Sequence, residues 1–167
     1  MVQKSPVTQN VNEAGQAINA HVLIVEARFY EVIADFLAEG AIAEFAARGV
    51  TFERIVVPGA LEIPQVLAAA AGARRAGRMA FDGAIVLGCV IRGETAHYDI
   101  VCNNANHWSM DTAMRQDVPV GNGILTVETE AQAIARAEGG RSGKGGDAAR
   151  ACLRLIELKR GFWSRGT

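Results

Sequence analysis

The feature that most constrains this chain is an apolar run that ends at a group of polar residues. Gly83 to Asp99 reads Gly-Ala-Ile-Val-Leu-Gly-Cys-Val-Ile-Arg-Gly-Glu-Thr-Ala-His-Tyr-Asp. Its β-branched residues predict a buried strand, and Arg92, Glu94, Thr95 and His97 follow directly. In an open α/β sheet, ligands bind at the carboxyl ends of the strands. The stretch therefore predicts an anion-binding turn and a titratable imidazole at one edge of a sheet.

Strands and helices alternate along the rest of the sequence. Apolar runs predict strands at 21–26, 51–57, 84–91 and 118–127. Helical periodicity and capping signals predict helices at 31–48, 61–76, 98–115, from 129, and at 147–160. The order βαβαβαβαα predicts an α/β, flavodoxin-like three-layer sandwich, in which a four-stranded parallel sheet has helices on both faces. Residues 1–19 lack periodicity and are expected to form a flexible N-terminal arm, and residues 20–167 a single domain.

Composition argues against several classes of function. The net charge of −1 gives no strong field for nucleic acid or a membrane surface, and 6% aromatic residues is few for base stacking. No apolar run approaches the roughly 18 residues of a membrane span, and no secretory signal is visible. Three scattered cysteines (Cys89, Cys102 and Cys152) form neither a disulfide framework nor a zinc pattern. We therefore expect reduced thiols, no bound metal and a cytoplasmic location.

Polar loops follow the first three predicted strands and should meet at one edge of the sheet. They include Phe29, Glu62 and His97. An imidazole suits proton transfer near neutral pH, although a surface or helix-capping histidine fits the position of His97 equally well. The turn 93–95 offers backbone N–H groups and the Thr95 hydroxyl to an anion, and Thr95 is also a candidate helix cap; the two roles are compatible.

A glycine-rich segment at 139–146 resembles a phosphate-binding loop but departs from that pattern at two positions. Gly145 stands where a Ser or Thr should bind magnesium, and Glu138 stands where the first glycine should be. The segment also joins two helices instead of following a strand. We interpret it as a flexible hinge between helices, with Arg136 and Lys144 as candidate anion ligands.

The third predicted helix is unusually polar for a helix that flanks a buried sheet. Its polar residues around Trp108 are Asn103, Asn104, Asn106 and His107. Solvent exposure and a hydrated subunit interface both explain this pattern, and we favour the interface. His107, like His21, lacks convergent polar neighbours and is interpreted as structural.

At these residues the chain resembles the 6,7-dimethyl-8-ribityllumazine synthase family. The matching segments follow the family's order and are Ala27–Phe29, Val57–Pro64, Gly88–Asp99, Asn122–Thr129, Gln132–Arg136 and Lys144–Gly145. The family consists of transferases of riboflavin biosynthesis that need no cofactor or metal. They join 5-amino-6-(D-ribitylamino)uracil to 3,4-dihydroxy-2-butanone 4-phosphate and release phosphate and two waters. The resemblance implies the same reaction here.

The resemblance also implies how the pyrimidine would bind. Phe29 would stack on its ring, and the ribityl chain would be held by Ala60, Leu61 and Glu62. The uracil pocket would be lined by Cys89, Val90 and Ile91. Leu61 and Asn122 stand where the family often has aromatic residues. Because each base–aromatic contact is worth about 1–3 kcal/mol, we expect weaker pyrimidine affinity, partly recovered through hydrogen bonding by Asn122.

The phosphate site implied by the resemblance is shared between subunits. Glu94 and Thr95 would bind the butanone phosphate, Arg136 of the adjacent subunit would neutralise it, and Lys144 would assist. His97 would shuttle protons. The family assembles as pentamers, and some members build 60-subunit shells, so the resemblance implies a homopentamer with a shell as the alternative. It also implies a functional link to riboflavin synthase.

Two other hypotheses belong to different functional classes. A flavin carrier of flavodoxin type would need a Ser/Thr-rich turn where Ala27-Arg28-Phe29-Tyr30 stands. A purely structural shell protein would have no reason to gather Phe29, Glu62, Thr95, His97 and Arg136 at one site. Both are therefore disfavoured against lumazine synthesis.

Overall fold

The computed structural model describes residues 15–166, so residues 1–14 of the predicted arm lie outside the described range. Within that range the strands are β1 (His21–Ala27), β2 (Thr51–Val57), β3 (Gly83–Ile91) and β4 (Val120–Val127). The helices are α1 (Glu31–Arg48), α2 (Ile63–Arg75), α3 (His97–Gln116), α4 (Glu130–Ala137) and α5 (Lys144–Trp163). Short 3-10 helices form at Ala60–Glu62, Gly140–Ser142 and Ser164–Gly166. The predicted βαβαβαβαα order is confirmed.

The four strands form one parallel sheet in the order β2-β1-β3-β4. The central strands β1 and β3 are largely buried, as their continuous apolar runs predict. Parallel pairing brings the carboxyl ends of all four strands to the same edge of the sheet, which we call the carboxyl edge. The turns that follow β1, β2 and β3 therefore lie side by side along this edge.

Helices cover both faces of the sheet. One face packs residues such as Ile24, Ile85 and Leu87 against α1, α4 and α5. The other face packs Leu23 and Val86 against α2 and α3. The predicted flavodoxin-like three-layer sandwich is confirmed. Within the described residues, no helix is both long enough and apolar enough to cross a membrane.

The last helix begins at Lys144, three residues before the predicted start at Asp147. Gly145 and Gly146 lie in its first turn and are buried. A Cβ atom on Gly145 would lie 1.8 Å from the carbonyl oxygen of Leu37, and one on Gly146 would lie 2.1 Å from that of Arg141. These glycines allow close backbone packing, so the prediction of a flexible segment reaching Gly146 is wrong at this end.

The described part of the predicted arm packs against the end of α1. Ile18 is buried, and its backbone N–H donates a hydrogen bond to the carbonyl oxygen of Arg48 at 2.9 Å. The Arg48 guanidinium donates in return to the backbone carbonyl of Gln16. Residues 16–18 are thus held by contacts that the sequence did not predict.

Candidate active site

The turn after β1 presents an exposed aromatic ring at the carboxyl edge. Phe29 is 72% exposed and meets the Tyr30 ring edge-on, with 5.0 Å between ring centroids. Arg28 anchors the turn through ion pairs with Glu26 at 3.4 Å and Asp35 at 2.6 Å. An aromatic ring held in this way has a free face on which a planar ligand can stack.

Tyr30 links this turn to the end of β3. Burial raises the pKa of the Tyr30 hydroxyl, and electrostatic interaction with Cys89 and Glu130 raises it further. Its ring packs against the core on the α1 side of the sheet. From the sequence alone, Tyr30 was named only as part of the turn after β1.

The turn after β2 lies beside the Phe29 turn. It forms the 3-10 helix Ala60–Glu62, which contacts β1, β3 and the side of α3. The Glu62 backbone N–H donates to the carbonyl of Gly59 at 3.2 Å, and a Cβ on Gly59 would lie 3.0 Å from the Glu62 carboxylate. Ala60 is buried, whereas Leu61 and Glu62 are half-buried. The Glu62 carboxylate therefore folds back over the turn, where it can accept hydrogen bonds from a ligand's hydroxyl groups.

The end of β3 forms an apolar floor for this region. Cys89 is buried, and Val90 and Ile91 are half-buried. Burial raises the pKa of the Cys89 thiol to about 11, with a smaller contribution from Cys102. A thiol that stays neutral is a poor nucleophile, so Cys89 suits a lining role. Among residues 15–166, no three His, Cys, Asp or Glu side chains lie close enough together to hold a metal ion.

Arg92 ties the end of the sheet to the first turn of α3. Its guanidinium contacts the Glu128 carboxylate at 3.0 Å and the Asp99 carboxylate at 3.4 Å. It also lies 4.1 Å from the centroid of the Tyr98 ring. Arg92 is therefore committed to contacts within its own chain, and these contacts fix the direction in which the following turn leaves the sheet.

His97 is the first residue of α3 and is exposed, as are Glu94 and Thr95. The Thr95 hydroxyl accepts a hydrogen bond from the His97 backbone N–H at 3.4 Å. The N-cap position belongs to Ala96, which has no side chain able to cap, so Thr95 stands one residue outside it. The start of this 20-residue helix presents backbone N–H groups next to a hydroxyl and an imidazole, which suits an anion that exchanges protons.

A second region, the Arg136 pocket, lies beside the outer strand β4. This cavity of about 470 Å³ is lined by residues of β4, the end of α4 and the start of α5. Arg136 and Lys144 both line it, as do the hydroxyl-bearing Thr126 and Ser142 and the carboxylate Asp147. Two cations, two hydroxyl groups and the N-terminus of a long helix suit a phosphate group. Sequence reasoning found the two cations but missed Ser142, which lies between them in the glycine-rich segment.

The helices that carry Arg136 and Lys144 pack on one face of the sheet, whereas the Ala60–Glu62 turn and α3 pack on the other. The Ala60–Glu62 turn follows the outer strand β2, whereas the pocket lies beside β4, about 14 Å away at the usual strand spacing. Glu130, which interacts with Tyr30 of the Phe29 turn, is the first residue of α4. Arg136 lies six residues further along this helix, which is about 9 Å at 1.5 Å per residue. Phe29, Glu62 and His97 thus follow three neighbouring strands at the carboxyl edge, and Arg136 and Lys144 line the pocket between α4, α5 and β4.

Asn122 lies apart from both regions, within β4 opposite Val86. Its amide donates to the Asn106 carbonyl oxygen at 2.6 Å, and its own carbonyl oxygen accepts from the Ile124 backbone N–H at 2.9 Å. Asn106 also donates to the Cys102 backbone carbonyl at 2.8 Å. Part of the polarity of α3 is therefore explained by a hydrogen-bonded contact with β4 inside the chain.

Comparison with known proteins identifies the family of this chain. The sequence model of the 6,7-dimethyl-8-ribityllumazine synthase family matches residues 19–160. A 6,7-dimethyl-8-ribityllumazine synthase of Nitrobacter hamburgensis is 46% identical over 158 residues, which cover 95% of this chain and 94% of that protein. A 6,7-dimethyl-8-ribityllumazine synthase 1 of Rhodopseudomonas palustris is 48% identical over the same shares. The synthase of Bartonella bacilliformis is 51% identical over 145 residues, or 87% of this chain and 93% of its own. This chain belongs to the 6,7-dimethyl-8-ribityllumazine synthase family.

Proposed function

We propose that this chain forms 6,7-dimethyl-8-ribityllumazine at a site shared between two neighbouring copies of itself. As a member of its family it is a transferase of riboflavin biosynthesis. The reaction joins 5-amino-6-(D-ribitylamino)uracil to 3,4-dihydroxy-2-butanone 4-phosphate and releases phosphate and two waters. One observation carries the proposal of a shared site: α4 and α5, which carry Arg136 and Lys144, pack on one face of the sheet, whereas the Ala60–Glu62 turn and α3, which begins at His97, pack on the other.

The carboxyl-edge turns are proposed to hold the pyrimidine. Phe29 offers an exposed ring face for stacking, and the half-buried Glu62 accepts hydrogen bonds from the ribityl hydroxyls together with the backbone of Ala60 and Leu61. The floor under the uracil ring is formed by Cys89, Val90 and Ile91. Asn122 is hydrogen-bonded to Asn106 and Ile124 of its own chain. We therefore propose that it binds a neighbour's pyrimidine only while its carbonyl oxygen still accepts the hydrogen bond from the Ile124 backbone N–H.

The butanone phosphate is proposed to lie between the start of α3 in one copy and the Arg136 pocket of the next. Glu94 and Thr95 contribute backbone N–H groups and a hydroxyl from one side. Arg136 and Lys144 contribute positive charge from the other, which offsets the phosphate charge through charge-assisted hydrogen bonds. The two substrates then meet beside His97.

His97 is proposed to move protons at this junction. The pyrimidine amine adds to the ketone of the butanone, and one water leaves as the C=N bond forms. A carbon-bound proton and the phosphate then depart, and closure of the second ring releases the second water. Each of these steps transfers a proton, and an exposed imidazole at the start of α3 can accept and return it.

The assembly is proposed to be a homopentamer, with a 60-subunit shell as the alternative, and its location the cytoplasm. In the isolated chain α3 exposes large apolar side chains, including Ile100 at 54%, Trp108 at 51% and Met114 at 83%. Apolar groups of this size favour burial against another subunit. The three cysteines are free thiols, which supports a reducing compartment.

An ultraviolet–visible assay with the two substrates tests the proposed reaction. The lumazine product should form only when both the pyrimidine and the butanone phosphate are present, and without added metal or cofactor. A protein that purifies with a yellow ligand and shows no turnover would instead be a flavin carrier. Native mass spectrometry of the same preparation would report whether five subunits or a larger number assemble.

A further inference from the structure

Glu44 on α1 is a buried carboxylate that the proposed chemistry does not use. The residue is 1% exposed. Its Oε2 atom lies 2.9 Å from Nε of Arg141 and 3.2 Å from Nη1 of Arg150. A buried carboxylate is costly unless cations and hydrogen bonds compensate it, and these two guanidinium groups do so.

The two arginines belong to the segment that borders the Arg136 pocket. Arg141 lies in the 3-10 helix Gly140–Ser142, and Arg150 lies in the second turn of α5. Arg150 also donates to the backbone carbonyl of Arg141 at 2.6 Å and pairs with Asp147, which lines the pocket. Through these contacts Glu44 holds both the turn before α5 and the start of the helix itself.

The backbone of this segment packs tightly against α1 and the end of α4. A Cβ on Gly40 of α1 would lie 2.6 Å from the carbonyl oxygen of Gly140, and one on Gly143 would lie 2.5 Å from that of Ala137. Small shifts of the turn are therefore transmitted to its neighbours. Glu44 on α1 forms an ion pair with Arg141 of this segment. The position of α1 therefore sets where Ser142 and Lys144 lie in the pocket.

We propose that Glu44 is a positioning residue for the phosphate-bearing substrate. Through Arg141 and Arg150 it fixes the turn that brings Ser142 and Lys144 to the Arg136 pocket. This inference rests on the proposed function of that pocket as the phosphate site. It assigns Glu44 an effect on one substrate only, whereas a buried ion pair with a purely structural role would affect both substrates alike.

Steady-state kinetics of Glu44→Gln in the assembled protein tests this assignment. The variant keeps the side-chain volume and loses the charge. The KM for 3,4-dihydroxy-2-butanone 4-phosphate should rise about tenfold, the lower end of what supporting partners contribute to a bound site. The KM for the pyrimidine and kcat should stay within about twofold of the parent, as expected when ground-state binding alone is lost.

Glu157→Gln is the matched control. Glu157 also pairs with two arginines, Arg48 and Arg154, and lies on α5. It is 13 residues from Lys144, which is about 20 Å along the helix. This variant should change neither KM.

Arg141→Gln removes the same contact from a side chain that is 44% exposed, so it keeps the test available if Glu44→Gln does not fold. It should raise the KM for the butanone phosphate in the same way. The double variant should be little worse than Glu44→Gln alone, because that change already breaks the ion pair with Arg141. The apparent affinity for inorganic phosphate, measured as competitive inhibition, should fall in parallel.

Two results would overturn the assignment. One is an unchanged KM for the butanone phosphate in both single variants, and the other is an equal rise for both substrates. Arg136→Ala separates this failure from failure of the proposed site. If Arg136→Ala weakens the butanone phosphate selectively and Glu44→Gln does not, only the positioning role is wrong. If Arg136→Ala shows no selectivity, the phosphate site and the positioning role are both wrong.

Discussion

Gly145 packs so closely against Leu37 that a Cβ atom on the glycine would lie 1.8 Å from the leucine carbonyl oxygen. This contact joins the first turn of α5 to the middle of α1. It places Lys144, the residue directly before Gly145, at the lining of the Arg136 pocket. A residue that is unfavourable inside a helix is thus explained by the approach of two backbones.

Gly145→Ala should destabilise the protein strongly. A methyl group at 1.8 Å must push α1 and α5 apart, and overpacking of this kind typically costs about 1–3 kcal/mol or more. Gly161→Ala on the same helix is the control, because a Cβ there meets nothing within 4 Å. Better helix propensity should make that variant up to about 1 kcal/mol more stable than the parent. Chemical denaturation of both variants measures the difference, and equal stability would contradict the packing account.

The same glycine shows why one boundary was mispredicted from sequence. Helix and strand periodicity is local, so the element order and the parallel sheet could be read from the sequence. Two adjacent glycines at the start of a helix are locally typical of a loop. Only the position of α1 in the structure shows that Gly145 allows close backbone packing against Leu37. The 3-10 turn at Ala60–Glu62, predicted in part as helix, is a second case, because α2 begins at Ile63 with Pro64 in its first turn.

The candidate site could be predicted where topology alone determines it. Phe29, Glu62 and His97 follow strands that end at one edge, and parallel pairing brings such residues together. Pairs that join distant parts of the chain leave no such pattern. Glu44 and Arg141 are separated by 97 positions, and nothing in their local sequence indicates that they meet.

His97→Ala should lower kcat by about 10²-fold, at the low end of general acid–base effects, with little change in either KM. The imidazole is proposed to transfer protons during the reaction and not to bind the phosphate. His21→Ala is the control, because His21 lies at the opposite end of β1 and bonds to Thr51. Turnover at the parent rate across pH 6–8 in His97→Ala would exclude this role.

Arg136→Ala should weaken the butanone phosphate much more than the pyrimidine. Loss of a charge-assisted contact to phosphate costs about 1.5–3 kcal/mol, or roughly 10- to 150-fold in affinity. Arg154→Ala removes an exposed arginine of α5 and should leave both affinities unchanged. Binding isotherms with equal losses for the two substrates would be inconsistent with the assignment of Arg136.

The buried thiol of Cys152 should make the protein less stable in alkali. Burial raises its pKa from 9.0 to about 12. Above pH 9 the unfolded chain loses this proton while the folded chain keeps it, so stability falls as the pH rises from 9 towards 12. The slope contributed by one such group is at most about 1.4 kcal/mol per pH unit.

Cys152→Ala should remove this contribution. The parent protein should be more stable than the variant at pH 7.5, because the thiol fills its site in the core. The difference in the free energy of unfolding between parent and variant should be roughly 1 kcal/mol smaller at pH 10 than at pH 7.5. Denaturation curves at the two pH values measure it, and a constant difference would show that the thiol titrates normally.

The shared site itself is tested by mixing two variants of low activity. His97→Ala lacks the proton carrier of the carboxyl-edge turns, and Arg136→Ala lacks the phosphate ligand of the neighbouring copy. When the two are unfolded together and reassembled, some interfaces join the intact turns of one variant to the intact pocket of the other. Such interfaces contain both an unchanged His97 and an unchanged Arg136.

Activity after this co-assembly is the most direct measurement of the account. If the site is shared, mixed oligomers should show activity well above that of either variant reassembled alone. Native mass spectrometry should confirm that both variants are present in one oligomer. If His97 and Arg136 instead serve a site within one chain, every site in a mixed oligomer is defective. Mixed oligomers with no recovery of activity would therefore contradict the shared site.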